Sequence, residues 1–477
     1  MNRPLYLTTT LPYVNADPHI GFALELVQAD IIARHRKLLG DDVFFNTGTD
    51  EHGQKIFQKA AETGKDPQTY TDEYAAKFRA LKEKLGLHPD LHFIRTTDPH
   101  HKAAAQEIWR RCAAAGDIYK KKYKGLYCVG DEMFLRESDL IDGRCPNHPT
   151  LEPQEIEEEN YFFRLSRHQN ALLNYLAQPG VIVPEWRREE AINFVKRGLE
   201  DFSVSREKAR LSWGIPVPDD DSQVMYVWFD ALTNYISTLG WPEDKAENFK
   251  KFWVNGETIQ FAGKDQVRFQ SIMWQAMLMS AELPTTKKIV YHGFITSGGQ
   301  KMSKSVGNVI DPIAVVEEYG ADALRYFLAR HVHPFDDSDF TMERFKEAYN
   351  ADLANGLGNL AARVMQLAQS NLPAPARVTF TPYPQEYVNA FDAFKINEAV
   401  EYVVARIQAL DQKINQTEPF KVVKTDAQKG EALIEEMVHE LAAIDLMLEP
   451  LVPETSKKII EAVMANKKPA NLFPRKE

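Results

Sequence analysis

The apolar positions divide this chain into an alternating first stretch, a turn-rich middle and a helical end. Residues 5–10 read as a short strand. The Asp17-Pro18 pair then supplies an N-cap and a proline at the first helical position, where a missing N–H costs the helix nothing. In the helix that follows, Leu24, Val27, Ile31 and Leu38 keep one face apolar, and Gly40 is a plausible stop. Val43-Phe44-Phe45 reads as a second, buried strand, followed by Gly48-Thr49-Asp50-Glu51-His52-Gly53 and another helix. Strand, helix, strand, helix predicts a parallel sheet. Ligands of such sheets lie outside the carboxyl ends of the strands, where His19 and Asp50 fall.

From about residue 116 the alternation breaks into turn-rich sequence in which Cys128, Asp131, Cys145 and His148 are spaced around Gly143 and Pro146, so residues 116–215 read as an insertion. The α/β pattern resumes over residues 216–290: 259–262 form a strand, Gly263-Lys264-Asp265 opens a helix, and 288–295 form another strand. Residues 1–115 are thus the first half of an α/β domain and 216–290 its second half. After Pro312 the pattern is helical, and 344–477 read as a helix bundle with a proline-rich break at 372–384.

A chain of 477 residues exceeds what one core usually supports, so several domains are expected. Its 44% hydrophobic and 26% charged residues are those of a soluble globular protein, and no apolar run is long enough to span a bilayer. The first residues lead into a strand rather than a secretory segment, so a cytoplasmic protein without a membrane partner is expected. Three cysteines, Cys112, Cys128 and Cys145, make no disulfide framework, in keeping with a reducing compartment. The net charge of -11 disfavours non-specific nucleic-acid binding, although Lys120, Lys121, Lys122 and Lys124 form a local basic run.

Chemistry concentrates at a few places. Lys301-Met302-Ser303-Lys304-Ser305, following Ser297-Gly298-Gly299-Gln300, sets two lysines among small residues and suits a mobile loop carrying positive charge to a triphosphate leaving group. His19 stands at a helix start, where free N–H groups favour anions; it can touch phosphate oxygens or simply cap the helix. Together with Pro12-Tyr13-Val14-Asn15-Ala16-Asp17-Pro18-His19-Ile20-Gly21-Phe22, the lysine loop resembles the two signatures of class I aminoacyl-tRNA synthetases, and the surroundings are similar specifically to the methionyl-tRNA synthetases. The resemblance covers nearly the whole chain, including Gly48 to Gly53, Asp201-Phe202-Ser203-Val204-Ser205-Arg206, Tyr226-Val227-Trp228-Phe229-Asp230-Ala231-Leu232 and Gly263-Lys264-Asp265.

The resemblance implies a Rossmann-type catalytic domain split by a connective insertion, a signature-loop and stem-contact region at 291–343, and an α-helical anticodon-binding domain. It implies a ligase that uses ATP and Mg2+ to activate methionine as methionyl-adenylate and passes the acyl group to tRNA(Met). His19, Arg206, Lys301 and Lys304 are the implied catalytic residues, and His19, Gly21, Gly263, Asp265, His292, Gly293 and Lys304 the implied ATP contacts. Asp50 would hold the substrate ammonium and Arg206 support the activated amino acid. Leu11, Tyr13, Trp228, Ala231, Leu232, Tyr235, Gln270 and Trp274 would line the thioether pocket, since sulfur packs well against ring edges; helical spacing fits ordinary core equally well. Asn359 and Arg363, four apart and so on one helix face, and Phe420 would read the anticodon by hydrogen bonding and stacking.

Four positions depart from the family. Phe22 stands where the first signature ends in histidine, Gln270 replaces a pocket histidine, and Gln266 and Gln275 replace apolar and proline residues. These changes fit altered packing in a methionine enzyme; the alternatives are a non-catalytic tRNA-binding paralogue or a sibling ligase for another aliphatic amino acid. The sibling enzymes resemble longer chains with an editing domain, because near-isosteric aliphatic substrates are poorly separated by binding alone. Cys128, Asp131, Cys145 and His148 match a zinc knuckle in which Asp131 replaces a cysteine. Zinc accepts carboxylate oxygen, and metal-free knuckles also occur, so zinc stays open. The chain ends soon after the bundle, and a monomer is expected.

Overall fold

A computed structural model describes residues 2–130, 132–135, 140–146, 150–302, 308–378 and 382–477. The chain forms two compact units, one of Met1–Pro18, Gly40–Ala80 and Asp90–His292, the other of His19–Leu39, Leu81–Pro89 and Gly293–Glu477. Among the described residues no helix is long and apolar enough to cross a membrane.

The first unit is built on a six-stranded parallel sheet: β1 (Pro4–Thr8), β2 (Asp42–Thr49), β3 (His92–Arg95), β4 (Ile182–Val183), β5 (Glu257–Gly263) and β6 (Lys288–His292), in the order β3-β2-β1-β5-β6-β4. Strand β1 sits between β2 and β5, with Thr8 opposite Asn46 on one side and Gln260 on the other. The winding reverses there, which opens the crevice at the carboxyl ends of these strands. Seven of the eight residues of β2 are buried, as a strand covered on both faces requires. The expected second strand is therefore present but longer than Val43-Phe44-Phe45, and the first is shorter than expected, ending at Thr8.

Between the two halves of the sheet, strand Ile118–Cys128 pairs antiparallel with Gln154–Phe163 and with Met133–Leu135. Register explains the lysine run. Lys122 lies opposite Glu159 and Lys124 opposite Glu157, while the Lys120 ammonium is 2.9 Å from Asp220 and that of Lys124 2.6 Å from Glu155. Facing carboxylates match the run, so it is a charge ladder rather than a basic patch.

In the second unit, helix α1 (Ile20–Leu38) is capped by His19 rather than Asp17: His19 has extended backbone angles, and its Nδ1 accepts the Gly21 N–H at 3.1 Å. The Asp17-Pro18 signal is two residues early, and the Asp17 carboxylate accepts from Lys77 instead. The strand expected over 288–295 divides at Gly293. A Cβ there would lie 2.2 Å from the Asp336 backbone, and Ile295–Ser297 pairs in a separate small sheet with Gln300–Lys301 and Ser338–Asp339. Beyond it the unit is helical: α3 (Ala321–Arg330), α4 (Asn359–Asn371), α5 (Ile396–Thr417), α6 (Ala427–Leu448) and α7 (Pro453–Ala465), with α2 (Gln54–Glu62) belonging to the first unit. Each buries an apolar stripe, as in α5, where Ile396, Ala399, Val400, Val403, Val404, Ile407, Leu410 and Ile414 face inward.

One buried ionic cluster ties this unit together. Asp30 of α1 pairs with Arg34 and Arg325 at 2.8 Å each and accepts the His88 N–H at 2.6 Å; Arg325 also donates to the carbonyls of Leu451 and Pro450 at 3.0 and 2.9 Å. Because Arg325 is wholly buried, Arg325→Ala takes from buried Asp30 one of its two cationic partners and from two carbonyls their guanidinium donor. The expected loss is about 3–5 kcal/mol by urea denaturation. Lys59→Ala, which breaks an exposed pair with Glu62, should change stability by less than about 1 kcal/mol.

Candidate active site

Asp50 follows the last residue of β2 directly, and its backbone is fixed by Asp50 N–H donating to the Pro12 carbonyl at 2.9 Å and Val14 N–H donating to the Asp50 carbonyl at 3.2 Å. Tyr13 and Asp50 thereby meet at the carboxyl ends of neighbouring strands, both in the first unit. The Asp50 side chain is 4% exposed, and its Oδ1 has no hydrogen-bond partner. Burial, then the nearby charges of Asp230 and Glu132, hold this carboxyl well above the usual carboxylate range; the His52 N–H opposes them only in part. Such a group is under-compensated until a cation arrives.

The neighbouring acid is compensated internally. Asp230 is wholly buried, with His52 Nδ1 at 2.7 Å and His101 Nε2 at 2.8 Å, and His101 Nδ1 is 2.9 Å from Ser237 Oγ. Burial works against its ionisation, but the two imidazoles outweigh it and leave the carboxyl below its ordinary range. This bracket fixes the helical turn Val227–Ala231, and with it Trp228 and Ala231, to the segment that follows Asp50. Asp230 and His52 both lie within motifs of the resemblance, but contiguous sequence assigns them no role, since their pairing joins residues 178 apart.

Trp228 is half-buried and stacks on Phe269, ring centroids 3.9 Å apart. Leu232, Tyr235 and Trp274 belong to the main apolar core, against which Tyr13 and Trp228 pack; Ala231 is buried, and Leu11 is half-buried. The core reading of these residues therefore holds alongside any pocket role. Gln270, also buried, donates to the Tyr235 hydroxyl. Gln275 donates to the Gln270 carbonyl at 2.8 Å and to Thr286 Oγ1 at 3.1 Å, and Thr286 Oγ1 in turn donates to Gln260 at 3.0 Å. Gln270 and Gln275 are thus built into one hydrogen-bonded wall.

Arg206 is 2% exposed. Its Nη1 donates to Ser203 Oγ at 3.0 Å and the Ser205 carbonyl at 2.7 Å, its Nη2 to the Glu132 carbonyl at 3.1 Å, and its guanidinium lies 4.5 Å from the Tyr226 ring centroid. It borders a cavity of about 560 Å³ that Tyr226, Arg268 and Phe269 also line.

Of the expected ATP contacts, Gly263 ends β5, Asp265 lies in the helical turn after it, and His292 ends β6, all in the first unit. His19, Gly21 and Gly293 belong to the second unit. The cap makes Nδ1 of His19 an acceptor, so the neutral ring carries its proton on Nε2 as a donor; capping and phosphate contact are compatible. Phe22 packs on this ring at 4.3 Å between centroids. Lys301 closes a two-residue strand, and its side chain and all of Lys304 lie outside the described residues.

Cys128 and Cys145 are buried in one small cluster with Leu135. Asp131 and His148 lie outside the described residues, among which no group of three metal-ligating side chains occurs. In the helical unit Asn359 and Phe420 are exposed. Arg363 is half-buried and engaged, donating to Asp411 and, at 2.8 Å, to Asn415 of α5. Its guanidinium is held ready rather than loose, a restraint invisible in the sequence because α5 begins 33 residues later.

The family model for tRNA synthetases class I (M) matches residues 5–155 and 150–365. Methionine--tRNA ligase of Thermotoga maritima is 40% identical over 485 residues, covering 98% of this chain and 76% of that protein; the Nostoc sp. enzyme of the same name is 41% identical, covering 95% and 89%. The solved Mycobacterium tuberculosis methionyl-tRNA synthetase in complex with methionyl-adenylate superposes with a TM-score of 0.91 at 36% identity, covering 99% of this chain and 100% of that one.

The raised Asp50 carboxyl carries a stability consequence. The folded state holds a proton that the unfolded state has released, so stability falls as pH rises from the unfolded value toward the folded one. Asp50→Asn should therefore stabilise the ligand-free protein at pH 7 by about 1–3 kcal/mol in urea denaturation, with the gain vanishing below about pH 4. An Asn variant less stable than the parent at pH 7 would contradict an uncompensated Asp50.

Proposed function

The chain belongs to the class I tRNA synthetases of the methionine type, and from that premise we propose that it is a methionine-tRNA ligase that joins methionine to tRNA(Met) at the expense of ATP. The observation that carries this reading is the buried, half-satisfied Asp50 beside Tyr13, in the same unit as the aromatic wall bearing Trp228 and Tyr235. An ammonium supplies the missing partner of the carboxylate, and a thioether suits ring edges. In this reading a carboxylate oxygen of methionine attacks the α-phosphorus of ATP, the bond to pyrophosphate breaks, and methionyl-adenylate forms. A ribose hydroxyl of the terminal adenosine then takes the acyl group and AMP leaves. No covalent intermediate with the protein is needed, so catalysis is positioning plus charge stabilisation.

Asp50 orients the nucleophile by its ammonium, and Arg206, already fixed by Ser203, Ser205 and Glu132, supports the adenylate. The donor Nε2 of His19 meets phosphate oxygen, as do the ammonium groups of Lys301 and Lys304, while Gly21, Gly263, Asp265, His292 and Gly293 complete the nucleotide contacts. Mg2+ neutralises phosphate charge when bound. Leu11, Ala231, Leu232, Gln270 and Trp274 complete the methionine pocket. Asn359, Arg363 and Phe420 read the anticodon, with Asp411 and Asn415 holding the Arg363 fork until a base replaces them.

In the knuckle, the paired burial of Cys128 and Cys145 suits a zinc ion whose remaining ligands would be Asp131 and His148. Elemental analysis checks this: near-stoichiometric zinc in the parent, lost in Cys145→Ser, supports the site, and a zinc-free parent refutes it.

Two variants separate the domains' roles. Lys304→Ala should slow methionine-dependent ATP–pyrophosphate exchange by at least about 100-fold with methionine affinity little changed, since its charge is needed as pyrophosphate departs. Arg363→Ala should leave exchange within about twofold of the parent while lowering aminoacylation kcat/KM by about tenfold or more. Equal loss in both assays would place Arg363 outside anticodon reading.

A further inference from the structure

Glu132 belongs to the insertion, yet its side chain is only 4% exposed and its carboxylate is spent on the rim of the methionine site. One oxygen, Oε1, accepts the Tyr13 hydroxyl at 2.6 Å and the Lys55 N–H at 2.6 Å; the other, Oε2, accepts the Gln54 N–H at 3.0 Å. The two N–H groups are the first of α2, so the same carboxylate caps that helix from outside and neutralises its positive end. The Glu132 carbonyl holds Arg206 at 3.1 Å.

The local backbone is shaped to allow this. Glu132 has φ of +53°, a left-handed conformation that a glutamate adopts only where its surroundings enforce it. Gly53, at φ +104°, leaves the space in which the groups meet: a Cβ there would lie 2.4 Å from the Tyr13 hydroxyl and 2.6 Å from Glu132 Oε2. Any larger residue at 53 would force the latch apart.

We propose that Glu132 is a positioning residue for methionine, fastening the Tyr13 ring as a wall of the amino-acid site and joining that wall, through one side chain and one carbonyl, to helix α2 and Arg206. The inference rests on the reading of Tyr13 and Asp50 as methionine contacts. Glu132 touches no substrate in this scheme. It acts through Tyr13, whose hydroxyl it accepts, and through the negative charge it places near Asp50, which favours a bound ammonium. The insertion is thereby part of amino-acid recognition and not merely a spacer between the halves of the sheet.

A double-mutant cycle tests this in the full-length protein. Tyr13→Phe and Glu132→Gln are assayed by ATP–pyrophosphate exchange, with KM taken separately for methionine and ATP. Charged hydrogen bonds of this kind are expected to move methionine KM about tenfold in each single variant. ATP KM should stay within about twofold, and the double variant should be no worse than the poorer single one, because both remove the same link. Glu132→Asp, which keeps the charge on a shorter arm, should recover part of the loss. Multiplicative effects in the double variant, an unchanged methionine KM in Glu132→Gln, or equal rises in both KM values would overturn the proposal. A parent with no methionine-dependent exchange would instead overturn the functional reading on which it rests. Thermal melting with and without methionine covers variants that fold poorly: the shift that methionine produces should shrink in Glu132→Gln and Tyr13→Phe alike, and a full shift in Glu132→Gln would count against the latch.

Discussion

Burying carboxylates at the carboxyl ends of parallel strands is the constraint around which the first unit is organised. Three acids, Asp50, Glu132 and Asp230, are each at most 4% exposed. A low-dielectric site does not tolerate such charges without partners, and each is answered differently. Two imidazoles answer Asp230, and a hydroxyl with two helix-end amides answers Glu132. Asp50 alone keeps an unmet oxygen. The asymmetry makes Asp50 the place where a ligand cation gains most, while the other two act as fixings.

The fixings also decide the shape of the site. Because Asp230 lies two residues from Trp228 and one from Ala231, bracketing it between His52 and His101 sets where both of those residues sit. In the hydrogen-bonded wall, Gln270 and Gln275 are each held by a hydrogen bond to a neighbour already in place. A polar pair in a core is costly when half satisfied. Gln270 Oε1 has no hydrogen-bond partner, so this wall keeps one unmet acceptor.

The second unit uses the same physics for a different end. Asp30, Arg34 and Arg325 form a cluster in which α1 and α3 are joined by charges that satisfy one another, so removing one partner alone is costly. At the surface, the Arg363 fork is held by Asp411 and Asn415 of α5, so its planar guanidinium keeps one orientation.

The sequence by itself determined the α/β class, the helical end of the chain and the family, because these depend on local periodicity and on contiguous motifs such as Pro12 to Phe22 and Lys301 to Ser305. It also marked Asp50, since a carboxylate directly after a buried strand stands at a strand end whatever the rest of the fold does. Tertiary structure alone decided the partners. That His101 brackets Asp230, that Glu132 reaches Tyr13 across 119 residues of chain, and that glutamates face the lysine run all depend on pairing between distant segments. Helix boundaries followed the same division: Asp17-Pro18 carries a strong local start signal, but the helix begins where the His19 ring can accept the Gly21 N–H and where the Ile310 carbonyl meets the Ile20 N–H. Local propensity proposes such a boundary, and the hydrogen bonds available in the folded chain choose it.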